Sequence, residues 1–215
     1  MRTSPVKLFL IGIILTHFAG LGAGVIGGGE VQAQQLIRAH AGITLNKVFF
    51  SPSIAQNFVP GNHLGVDYSY VNERGSGVRI GLGWMHKGWD INVPDSSYAR
   101  VYNQMELPFL SRFVLSAKPF QFYIEGGPSL SYTLSAAEYI EGIEREYTFQ
   151  EEVDQRFSFG LRGELGVLRH WGKWVGNAGI GYHQDLTNFD RSPGVIYSLH
   201  QNIIFSVGMA RVIED

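Results

Sequence analysis

Four side chains late in the chain are of the types a hydrolase needs: His183, Asp185, Ser198 and His200. A serine nucleophile requires a histidine to take its proton and a carboxylate to orient that histidine. His183 and Asp185 are two residues apart, as are Ser198 and His200, so each pair shares a face if its segment is a strand. Such a set suits hydrolysis of an ester. No catalytic motif surrounds the four, and serine, histidine and aspartate are also ordinary residues of a polar interior, so no catalytic residue is assigned. The chain has no cysteine, which excludes disulfides, thiol catalysis and cysteine-ligated metal. It has no EF-hand loop, P-loop or dinucleotide fingerprint, so no cofactor and no metal site are expected.

The elements that must position these groups are strands. Residues 120–134, FQFYIEGGPSLSYTL, alternate throughout. Phe120, Phe122, Ile124, Gly126, Pro128, Leu130, Tyr132 and Leu134 fall on one face, and Gln121, Tyr123, Glu125, Gly127, Ser129, Ser131 and Thr133 on the other. The pattern recurs over 35–46, 62–71, 78–88, 99–114, 156–169, 174–186 and 195–212, making eight strands. The polar faces collect Arg38, His40, Asp67, Arg79, Glu106, Arg112, Glu125, Arg162, Glu164, His183, Asp185 and His200. Charges of both signs on one face imply a paired ionic network, because an unpaired buried charge costs several kcal/mol.

Residues 1–33 read as a cleavable signal peptide: Arg2 and Lys7, an apolar run from Leu8 to Ile26, then Val31-Gln32-Ala33 before a cut at Gln34. The glycine-rich GAGVIGGG at 22–29 belongs to this segment. Removing Arg2, Lys7 and Glu30 leaves 15 basic and 18 acidic residues, a net charge of −3, which argues against nucleic acid as a partner. Past residue 34 no stretch approaches 18 consecutive apolar residues. A membrane would therefore have to be crossed by strands, and strands in lipid must close into a barrel because hydrocarbon offers no partner to backbone amides. The expectation is an all-β fold, an eight-stranded antiparallel up-and-down transmembrane β-barrel over 34–215, in a bacterial outer membrane. It is expected to be monomeric, with outer-membrane lipid and lipopolysaccharide around it.

Connection lengths agree. Turns at 72–77, 116–119 and 170–173 are short, whereas connections near 47–61, 89–98, 135–155 and 187–194 are longer. An even strand number and this alternation would put both termini in the periplasm and the long loops outside. Trp84, Trp89, Tyr98, Tyr102, Phe113, Trp171, Trp174 and Tyr197 lie near strand ends, where amphipathic rings suit the headgroup level. The 135–155 loop is acidic: Glu138, Glu141, Glu144, Glu146, Glu151, Glu152 and Asp154 against Arg145 alone, a net of −6. It reads as a solvated loop repelled by anionic lipopolysaccharide, with a divalent cation or a basic partner as the alternative.

The run 102–136, YNQMELPFLSRFVLSAKPFQFYIEGGPSLSYTLSA, resembles the PorT-type outer-membrane β-barrel family of Bacteroidota. The resemblance is carried by Tyr102, Glu106, Pro108, Lys118, Gly127, Pro128, Ser129, Leu130 and Tyr132, with echoes at 160–167, 179–189 and 202–210. It implies an eight-stranded outer-membrane barrel and, through the family's namesake, an association with protein export by the type IX secretion system.

Three functions remain open at this point. The leading one is a non-enzymatic barrel, structural or accessory to a surface or secretion assembly. Another is a barrel enzyme acting on lipid A or phospholipid. The third is a soluble lipocalin-like binder of a small apolar ligand, which would need an apolar interior.

Overall fold

The computed structural model describes residues 33–213 except 94, 95, 118 and 151. The signal segment, apart from Ala33, and Lys118 of the family-like run lie outside the described residues. Nine strands are present among those described: β1 (Gln34–Ser51), β2 (Val59–Val71), β3 (Ser76–Val93), β4 (Ser96–Ala117), β5 (Phe120–Ile140), β6 (Ile143–Glu146), β7 (Phe157–Trp171), β8 (Trp174–Asp185) and β9 (Tyr197–Ile213). Eight form a closed antiparallel ring. Each pairs with its neighbour in the order β1, β2, β3, β4, β5, β7, β8, β9, and β9 returns to β1. Closure leaves the ring without a bare edge. The short β6 lies outside it, paired with β5 alone among the described strands.

Alternation sorts the side chains as expected. Phe122 and Phe205 face outward, 49% and 40% exposed, while Glu125 and Arg162 are buried at 1% and 3%. Ile43, Phe205, Ile180, Leu165 and Ile124 stand opposite one another across successive pairs, an apolar row around the outer wall. No helix among the described residues is long and apolar enough to cross a membrane.

Three expectations are corrected. First, β3 runs to Val93 and β4 begins at Ser96, so the connection expected at 89–98 is nearly all strand. The inward parity of Met85 continues through Lys87 and Trp89, and residues 86–93 pair fully with β4. Second, β5 continues to Ile140 and turns through Glu141 and Gly142, at φ of 53° and 79°, into β6. Two successive positive φ values define the tight hairpin turn that matches strand twist. Much of the acidic 135–155 segment is therefore hairpin.

The third concerns phase and the aromatics. Asn103 pairs with Ser135 but Gln104 with Thr133, so Leu134 is an extra residue, a bulge. Leu134 and Ser135 are both exposed, and Ala136 returns to the interior opposite Tyr102. Trp89 and Tyr102, expected at the headgroup level, are buried inside with Val48, Phe50, Ala136 and Phe189. Their parity decides it, because they follow Lys87 and precede Gln104 on the inward face. Trp171, Trp174 and Tyr197 are exposed on the outer wall.

The interior has three layers. At the end carrying the short turns, Leu36, Val71, Val114, Tyr123, Leu168, Val175 and Ala210 pack together. The Trp89 and Tyr102 cluster fills the opposite, loop end. Ion pairs occupy the middle.

Candidate functional site

Ten side chains of formally charged type are buried in the barrel: Arg38, Arg79, Lys87, Arg112 and Arg162 against Asp67, Glu106, Glu125, Glu164 and Asp185. Five positive and five negative charges balance. Arg79 is the hub, 3.4 Å from Asp67, 3.3 Å from Glu164 and paired with Glu125 as well. Arg38 holds Asp67 at 2.8 Å, and Arg112 donates to Glu125 at 2.7 Å. Arg162 bridges Glu106 at 3.0 Å and Glu164 at 3.1 Å. Nearer the loop end, Lys87 meets Asp185 at 3.0 Å. Lys87 was not among the expected inward charges, although its parity with Arg79 and Met85 points it inward.

Glycine makes room for this network. Tyr123 donates its hydroxyl to Glu164 at 2.7 Å and carries the Arg112 guanidinium over its ring at 4.8 Å. Its own ring lies against bare backbone, because a Cβ on Gly166 would collide with it and one on Gly179 would meet its hydroxyl. Gly166→Val should therefore destabilise the barrel by about 1–3 kcal/mol through overpacking. The urea midpoint of protein folded in detergent checks this; an unchanged midpoint would mean that both Tyr123 and the Ala178 carbonyl can move aside.

The four hydrolase-type residues do not assemble. Ser198 exchanges hydrogen bonds with the backbone of Asp190, accepting from its N–H and donating to its carbonyl, both at 2.9 Å. The serine that reaches His183 is Ser129, whose Oγ is 2.9 Å from Nε2. Asp185 approaches that same Nε2 at 3.3 Å, while Nδ1 faces Asn202. A proton relay needs serine and carboxylate on opposite ring nitrogens. Ser129, His183 and Asp185 are also at most 1% exposed, leaving no path for a lipid ester. Ser129 was absent from the sequence-based set, although its place on the polar face of β5 was legible.

Over the loop end, residues 147–150 and 152–156 form a strap. Arg100 sits 3.8 Å from the Tyr147 ring centroid and 3.9 Å from Asp154. Tyr147 donates to Asp154 at 2.8 Å; burial, with Asp154 beside it, pushes its phenol up to about 12. The strap is tied to the neighbouring loop, with Gln155 N–H donating to the Phe189 carbonyl and Arg191 N–H to that of Val153. Phe189 fills the mouth, its ring 4.4 Å from that of His200. Beneath lies a pocket lined by Gln104, Ser158, Asp185 and His200, with space on the scale of one water. A binder of apolar ligands needs an open greasy cavity; here the middle is ionic and both ends are packed. Among the described residues, no cluster of histidine and acidic side chains could hold a metal ion.

By sequence, residues 32–191 match the family described as outer membrane protein beta-barrel domain. By structure, the chain is similar to the Neisserial surface protein A, with 14% identity and a TM-score of 0.51 over 83% of this chain and 97% of that one. It is also similar to the outer membrane protein OprG from Pseudomonas aeruginosa, with 14% identity and a TM-score of 0.52 over 86% of this chain and 98% of that one. At such identity these two likenesses concern the fold alone. No curated protein matches the chain.

Proposed function

From its membership of the outer membrane protein beta-barrel domain family, which makes this chain an outer-membrane β-barrel protein, we propose a non-enzymatic role as a sealed structural or accessory component of a surface or secretion assembly. The observation that carries this reading is the filled lumen: a charge-balanced network between two packed plugs. An eight-stranded ring leaves just enough interior for side chains, and here they occupy it.

In this reading the signal peptide ends at Ala33, the short turns and both termini face the periplasm, and the strap and the β5–β6 hairpin face outward among lipopolysaccharide. The hairpin carries Glu141, Glu144 and Glu146 exposed, where a partner can reach them. The PorT-like motif residues support a secretion accessory rather than a pore. Crosslinking in native envelopes should then recover components of a secretion assembly. A reproducible absence of such partners would leave a general structural barrel.

Reconstitution in planar bilayers tests the seal. Purified protein should give no resolved conductance steps in 1 M salt, a condition chosen to magnify any ion flow. Stable open steps would defeat the proposal and return the lumen to a conduction role.

A further inference from the structure

On the outer wall at the turn end, Arg169 of β7 is clasped by two rings. Its guanidinium lies 5.5 Å from the Phe120 centroid and 5.4 Å from that of Trp171. Phe120 stands directly opposite it on β5. Trp171 is seated by a missing side chain, because Gly176, facing Arg169 from β8, would drive a Cβ into the indole. One row nearer the rim, register places Trp171, Trp174 and Arg211 side by side. Both arginines are exposed, and among the described residues neither is paired with a carboxylate.

An arginine that merely reaches for water needs no such clasp. Two aromatic faces hold the guanidinium at the boundary of the apolar wall, with its donors free for an oxyanion. The row below, Phe122, Val167, Ala178 and Val207, is apolar and continuous by register, with the small Ala178 leaving space beside Val207. A ligand that fits both features is anionic at one end and a hydrocarbon chain at the other.

We propose that Arg169, assisted by Arg211, binds the phosphate of an anionic glycerophospholipid, with an acyl chain laid along the row beneath. The inference rests on the outer-membrane reading; the proposed orientation assigns the lipid to the periplasmic leaflet.

The test counts lipids retained by the folded barrel in native mass spectrometry after exposure to equal amounts of phosphatidylglycerol and phosphatidylcholine in mixed micelles. The wild type should favour phosphatidylglycerol by roughly five-fold per arginine. Arg169→Gln should lower that ratio, and Arg169→Gln with Arg211→Gln should bring it near unity. Arg169→Lys keeps the charge but loses the planar stack, so it should fall between, and it serves if the double variant does not fold. Inorganic phosphate should compete poorly, since it has no chain; equal competition would reduce the site to a phosphate patch and overturn the lipid assignment. An unchanged ratio in the folded Gln variants would also overturn it. Failure of the wild type to insert into bilayers at all would instead count against the outer-membrane reading, and the two failures are told apart by the heat-modifiable gel mobility of a folded barrel.

Discussion

Arg79→Met should lower the unfolding free energy by about 3–5 kcal/mol, the scale for breaking a buried pair from one side. Arg79 is 1% exposed and neutralises parts of Asp67, Glu125 and Glu164 at once. Without it the five-to-five balance becomes four against five, and no solvent is at hand to relieve the surplus. Tryptophan fluorescence during urea unfolding in vesicles would measure the loss. The Lys87 and Asp185 pair provides the control, being joined at 3.0 Å away from the hub. Lys87→Met alone should be costly, while Lys87→Met with Asp185→Leu should recover much of that cost because no lone charge remains. A loss below about 1 kcal/mol for Arg79→Met would mean that water enters the network, as at surface ion pairs.

Leu165→Arg tests the outer wall and should cost about 2–4 kcal/mol in a bilayer. Leu165 is 54% exposed and sits in the apolar row between Ile180 and Ile124. Exposure to water would make this substitution nearly free, so its cost reports the solvent that Leu165 faces. Trp174→Arg, at the rim, should cost about 0–1 kcal/mol from charge burial, since water is close there. Equal costs at the two positions would show that the wall does not face hydrocarbon.

Much of this was readable from alternation alone. Ring strands, inward charges and outward apolar rows follow from a period of two, which holds wherever backbone pairing is regular. It fails at Leu134, where an added residue shifts the phase and no local composition marks the slip. Strand ends were also underestimated, because Glu138 and Asp90 look like loop residues until their partners across the sheet are known. Trp89 and Tyr102 show the opposite error: aromatic type was allowed to outweigh inward parity. Ser129 and His183 come together across the barrel, from β5 and β8, a contact that depends on closure and shear and cannot be read from spacing. The role of Gly166 was hidden for the same reason, since Tyr123 approaches it from another strand.

The seam between β1 and β9 has a further use. Gln35 faces Ile213 directly in the register, so the two ends of the ring lie side by side. A short peptide could splice them, and fresh ends could be opened in the segment between Ser51 and Val59. Circular permutants cut there should still fold, whereas a permutant opened between Glu125 and Pro128 would sever a strand through the ionic layer.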